Sequence, residues 1–169
     1  MGRSFDCARH PAFLNPSANG VSVMRALFLT AALVAGLATP AFAKTIIVQL
    51  KNQGSGPGQY MVFEPAMVKA NVGDTIKFMP TNPGHNVQSI DGMVPAGATK
   101  IVGQYNKEVD LVVTKPGIYG VKCVPHYSMG MVAIVDVGPA PNLAAAKAAA
   151  AKMPAIAQKR LMPLLALAK

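Results

Sequence analysis

The chain has little of what most enzymes need: seven carboxylates, three histidines and two cysteines among 169 residues. With so few Asp and Glu there is no acid–base constellation, and an enzyme is not expected. Basic side chains outnumber acidic ones 16 to 7, for a formal net charge of +9. No aromatic- and Arg-rich patterning accompanies that charge, which argues against a nucleic-acid partner. The apolar run from Ala26 to Phe42 is broken by Gly36 and Pro40. It is short for a bilayer crossing, which takes about 20 residues, so no stable membrane insertion is expected.

That run reads instead as a leader. Met24 and Arg25 precede it and Ala41-Phe42-Ala43 ends it, which is the charged start, apolar middle and small-x-small site of a secretory signal over residues 24–43, cut before Lys44. Residues 1–23 carry no usable pattern and are expected to be an extension upstream of the true initiator, Met24. Loss of residues 1–43 removes Arg3, Arg9, Arg25, Asp6, Cys7 and His10, three cations against one anion, and takes the charge from +9 to +7. A basic secreted domain of residues 44–169 follows, long enough to bury its own core.

One cysteine, Cys123, and two histidines, His85 and His126, remain. A single Cys in an oxidising compartment has no internal disulfide partner, so it must be protected, reactive or metal-bound. An isolated Cys is ordinarily a small buried hydrophobe and an isolated His a structural residue. Here Cys123-Val124-Pro125-His126-Tyr127-Ser128-Met129-Gly130-Met131 sets a soft thiolate, an imidazole and a thioether within one loop. With His85 these donors make the ligand set of a blue-copper electron-transfer site. Met129 and Met131 both follow His126 closely enough to supply the thioether.

Apolar positions in the mature chain recur with a period of two, in short runs separated by Gly, Pro and Asn, as in antiparallel sandwiches. Strands are predicted over 45–50, 65–70, 75–80, 86–89, 108–114, 118–123 and 131–137, filling a sandwich of residues 44–138. Turns are predicted at Gly54–Gly58, Asn71–Asp74 and Lys115-Pro116-Gly117. Residues 93–102 are left between loop and a short helical turn. Alternation sends Tyr119, Val121 and Cys123 inward and Lys122 outward. Beyond Pro141 the composition turns to Ala, Leu and Lys, and helices are predicted over 142–152 and 155–169. Helices this short are marginal alone, so residues 139–169 are expected to dock on the sandwich; an amphipathic membrane-surface tail is the alternative. Pro163 is expected to kink or end the second helix.

Phe63-Glu64-Pro65, Val72-Gly73-Asp74-Thr75-Ile76, Gly84-His85-Asn86-Val87 and Gly117 to Cys123 together resemble the cupredoxins. Pro-His-Tyr-x-Met-Gly-Met with two C-terminal helices is similar to the pseudoazurin branch of that family. The resemblance covers Lys44 to about Lys169 and implies an all-β, antiparallel Greek-key β-sandwich with two short C-terminal α-helices. It implies one copper per chain, cycling between Cu(I) and Cu(II), with His85, Cys123, His126 and Met131 as ligands. A shorter Cys-x2-His-x2-Met loop, as in amicyanin-like proteins, would use Met129; the match of the whole segment and the turn at Gly130 favour Met131. Asn86 is similar to the family residue that offers an N–H to the Cys sulfur and braces the two ligand loops. Pro125 has no N–H, so a sulfur hydrogen bond available in some relatives is missing.

The resemblance further implies a periplasmic electron carrier, monomeric, whose partners are acidic redox proteins such as copper nitrite reductase or cytochrome c. Positive charge would steer such partners, with Lys122 the leading steering residue and Met61, Pro125 and Met129 on the apolar surface near the metal. A periplasmic copper chaperone or store is the other class. It would hold colourless Cu(I), whereas an oxidised cupredoxin is intensely coloured. A structural zinc site is disfavoured because its fourth ligand would be a thioether.

Overall fold

The computed structural model describes residues 43–169. The upstream extension and most of the secretory leader expected from the sequence lie outside the described residues. Eight strands are followed by two helices: β1 Thr45–Gln53, β2 Tyr60–Glu64, β3 Met67–Ala70, β4 Thr75–Pro80, β5 Gln88–Ser89, β6 Val109–Val112, β7 Gly117–Lys122, β8 Val132–Val137, α1 Leu143–Ala150 and α2 Ala155–Leu167. They form two four-stranded sheets, ordered β2-β1-β4-β6 and β3-β8-β7-β5.

The predicted sandwich and its two C-terminal helices are both present. The pairing, however, is not wholly antiparallel. β1 runs parallel to β4, with Ile46 opposite Ile76, and β3 runs parallel to β8, with Val68 opposite Val135. Both sheets are therefore mixed, because each brings together strands joined by long excursions rather than by hairpins. The remaining corrections are local. β2 falls where no strand is predicted and closes a hairpin on β1 around the predicted turn, where the Gly54 N–H donates to the Gln59 carbonyl at 2.8 Å. Residues 93–102 form turns and one isolated bridge, Gln88 with Val102, and no helix.

Two apolar layers explain the strand patterns. Val48, Leu50, Phe63, Ile76, Phe78 and Leu111 from the first sheet meet Val68, Tyr119, Val121, Ala133, Val135 and Val137 from the second. On the other side of the second sheet, Ile118, Val132 and Ile134 pack against Ala146, Ala150, Ala157, Leu161 and Leu165 of the helices. The second sheet is thus covered on both faces, which is why β8 is buried at every position and lacks an alternating pattern. The first sheet keeps a polar outer face, where Lys77 pairs with Glu108 at 3.3 Å and Asp110 at 3.0 Å.

The helices dock on the sheet, as expected. Asn142 ties the start of α1 to β7: its Oδ1 accepts the Ile118 N–H and its Nδ2 donates to the Ile118 carbonyl, both at 2.8 Å. Pro163 does not end α2, which continues to Leu167. Pro163 and Lys159 are exposed, so the carbonyl that Pro163 leaves without a donor faces water. Leu161 and Leu165, on either side of it, hold the buried face in place. Among the described residues no helix is long and apolar enough to cross a membrane.

Candidate metal centre

His85 enters the core on a turn that two asparagines hold. Gly84, at φ 90°, donates its N–H to Asn106 Oδ1 at 2.6 Å, and the Asn106 N–H donates to the His85 carbonyl at 2.8 Å. At the end of β1, Asn52 places its Oδ1 2.8 Å from His85 Nε2. A carbonyl oxygen only accepts, so Nε2 carries the proton and the Nδ1 lone pair is turned into the site. Burial, and to a smaller extent the neighbouring His126, push the His85 pKa down, which keeps the ring neutral and able to ligate.

Cys123 leaves β7 fully buried and on the inner face, as alternation predicts. The loop it opens is folded tightly on itself. Its N–H donates to the Met131 carbonyl at 3.0 Å, and the N–H groups of Met129 and Met131 both donate to the His126 carbonyl at 3.1 Å. Asn86 braces this loop against the His85 turn: its Oδ1 accepts the Val124 N–H at 2.9 Å and its Nδ2 donates to the Gly103 carbonyl at 3.2 Å. Burial pushes the Cys123 thiol pKa up, while the backbone N–H groups of Asn86 and His126 oppose that rise by hydrogen bonding to the sulfur. The Asn86 N–H thus acts on the thiol in the expected sense, and so does the N–H of His126, one residue beyond Pro125.

Three donor atoms converge. Cys123 Sγ lies 3.7 Å from His85 Nδ1 and 3.5 Å from His126 Nδ1, and the two Nδ1 atoms are 3.2 Å apart. A point about 2 Å from all three lies at the centre of that triangle, the bond length that first-row metal ions make to imidazole and nearly that to thiolate. The two imidazole rings cross at 63° with centroids 4.9 Å apart, so both nitrogens aim at one point rather than stack. The donor set of two imidazoles and one thiolate suits copper in a trigonal site. Of the two candidate thioethers, Met131 is fully buried and Met129 is 44% exposed.

Around the partly buried His126 the surface is apolar, with Val124 and Met129 exposed. Lys122, the outward residue of the alternation, is half-buried, and its Nζ sits 4.8 Å from the centroid of the Tyr127 ring. Asn52 and Asn106 were not anticipated as parts of the site. Their only sequence signal is that Asn is a versatile partner for backbone and ring N–H groups, which does not single out two of several.

Residues 49–138 match the family model described as copper binding proteins, plastocyanin/azurin family. The chain is 48% identical over 136 residues to pseudoazurin from Paracoccus pantotrophus, covering 80% of this chain and 91% of that one. It is 47% identical over 147 residues to pseudoazurin from Methylorubrum extorquens, covering 85% and 97% respectively. Among solved structures it is similar to pseudoazurin from Hyphomicrobium denitrificans, with a TM-score of 0.69, 40% identity and coverage of 74% and 98%.

Proposed function

Because the chain belongs to the plastocyanin/azurin family of copper-binding proteins, and within it to the pseudoazurins, it is a copper electron carrier, and we propose that His85, Cys123, His126 and Met131 hold its metal. The observation that supports this assignment best is the triangle of His85 Nδ1, His126 Nδ1 and Cys123 Sγ, with edges of 3.2 to 3.7 Å. Met131, buried and paired to Cys123 through its backbone carbonyl, is the thioether of the set.

Copper supplies a one-electron couple in such a site, with potential tuned by the axial ligand and by hydrogen bonding around the sulfur. The protein does the rest. Asn52 and Asn106 hold His85 at one tautomer and one orientation, and Asn86 locks the Cys123 loop to the His85 turn, so the ligands have little freedom to rearrange when the charge changes. Burial of His85, Cys123 and Met131 keeps water from the donors. His126 alone reaches toward the surface, and its apolar rim of Val124, Pro125 and Met129 offers a partner a small patch to rest on.

The partners are other redox proteins. The excess of cations favours acidic ones, and we assign copper nitrite reductase or c-type cytochromes to that role, met transiently by a monomer in the periplasm. The leader pattern of residues 24–43 supports that compartment. The test is the visible spectrum of the copper-loaded protein before and after ascorbate. An intense band that bleaches on reduction is expected, and its absence despite bound copper would reject the type 1 reading in favour of a Cu(I) chaperone. Met131→Leu should change that band and the potential strongly and Met129→Leu little; the reverse would move the axial assignment to Met129.

A further inference from the structure

Arg160, in the middle of α2, reaches out of its helix to the loop that ends in Met131. Its Nη1 donates to three backbone carbonyls: Tyr60 at 3.0 Å, Met61 at 3.0 Å and Gly130 at 3.1 Å. One guanidinium nitrogen has two hydrogens, so the three oxygens share them, and a single cation draws two remote segments together. Both segments have an unusual backbone. Met61 is at φ 50° and Gly130 at φ 85°, and a non-glycine residue in that region persists only where its surroundings hold it there.

The helix also sits directly on Gly130. A Cβ there would lie 2.8 Å from Ile156 Cγ2 and 2.9 Å from Arg160 Cδ. The Gly130 carbonyl accepts the Val132 N–H at 3.0 Å as well, and the Met131 N–H is taken by the His126 carbonyl. The residue before Met131 is thus pinned from α2, the residue after it from the loop itself, and Met131 has no slack in its backbone.

We propose that Arg160 is a positioning residue for the axial thioether: by gripping the Gly130 and Met61 carbonyls it fixes the backbone from which Met131 reaches the metal, so that α2 belongs to the frame of the copper site. The proposal rests on the reading of Met131 as a ligand. An axial bond that is long and weak has no stiffness of its own, and its length follows wherever the backbone places the sulfur. A tie that merely fastened α2 to the sheet would affect stability and nothing else.

The experiment compares the visible and electron paramagnetic resonance spectra of copper-loaded wild type, Arg160→Met, Leu165→Ala and Met131→Leu, with the melting temperature of each. Leu165 packs α2 on the sheet and forms no part of the grip. Arg160→Met is expected to shift the relative intensities of the visible bands and the anisotropy of the resonance; Leu165→Ala is expected to lower the melting temperature while leaving both spectra as in wild type. Spectra of Arg160→Met that overlay wild type, whatever its melting temperature, overturn the proposal. Should Arg160→Met fail to fold, Arg160→Gln, too short to reach all three carbonyls, decides on the same readout. Met131→Leu separates the two readings: no change there rejects the ligand assignment, whereas a change there with none at position 160 rejects the grip alone.

Discussion

Asn52 settles which nitrogen of His85 faces the sulfur. Its Oδ1 holds the Nε2 proton at 2.8 Å, and outer partners of this kind orient a metal-binding imidazole and raise its basicity. Asn52→Leu frees the ring, and copper affinity is expected to fall about 10- to 100-fold, measured by competition with a chelator; an unchanged affinity would show that the His85 turn alone is sufficient. Pro125 acts by what it lacks. With the sulfur already facing the N–H groups of Asn86 and His126, Pro125→Ala restores one further backbone donor near the thiolate. More donors favour the reduced state, so the reduction potential should rise, and a measured fall would refute the argument.

The β1–β2 hairpin shows how an element missed in the sequence is held. Glu64 at the end of β2 accepts from Lys51 Nζ at 2.6 Å and from the Ser55 N–H at 3.1 Å. The bond from Lys51, then those from Ser55, bring its pKa from 4.5 to about 2. A carboxyl whose pKa is depressed on folding stabilises the fold above its unfolded value and loses that contribution as pH falls through the folded one. The difference in melting temperature between wild type and Glu64→Gln should therefore be full above pH 4.5 and shrink toward pH 2; a constant difference would assign the effect to packing. In β8, Asp136 is buried among five apolar neighbours in sequence, and its Oδ1 has no hydrogen-bond partner. Asp136→Val continues the strand's pattern and removes an uncompensated polar group, a gain of about 1 kcal/mol or more in denaturant unfolding. A loss instead would show that the carboxylate earns its place through a bound water.

For the whole molecule the dominant long-range property is charge, 13 cations against 6 anions over residues 44–169. Several cations are neutralised locally: Lys51 by Glu64, Lys77 by Glu108 and Asp110, Lys100 by Asp91. On the proposed function, the remaining cations would favour an acidic redox partner. Screening lengths shrink from about 10 Å at 0.1 M salt to about 3 Å at 1 M. The second-order rate of electron exchange with such a partner is expected to fall steeply over that range; a salt-independent rate would leave the apolar rim as the sole basis of recognition.

The types of donor, their order along the chain and the alternation that sends Cys123 inward were legible in the amino-acid sequence, because period-two patterning and loop spacing are local properties. So were the two Ala- and Leu-rich helices. The tertiary structure alone decided what depends on distant partners. It paired β1 with β4 and β3 with β8 in parallel, added β2 directly after the glycine-rich turn, and let α2 run through Pro163 because its buried face is held on both sides. It also separated Met131, enclosed in the core, from the half-exposed Met129 two residues earlier. Asn52 meets His85 across 33 residues of chain and Arg160 meets Met61 across 99. Nothing in the vicinity of either residue marks it, since a side chain's hydrogen-bond partner is set by where the folded backbone brings it and not by the residues beside it.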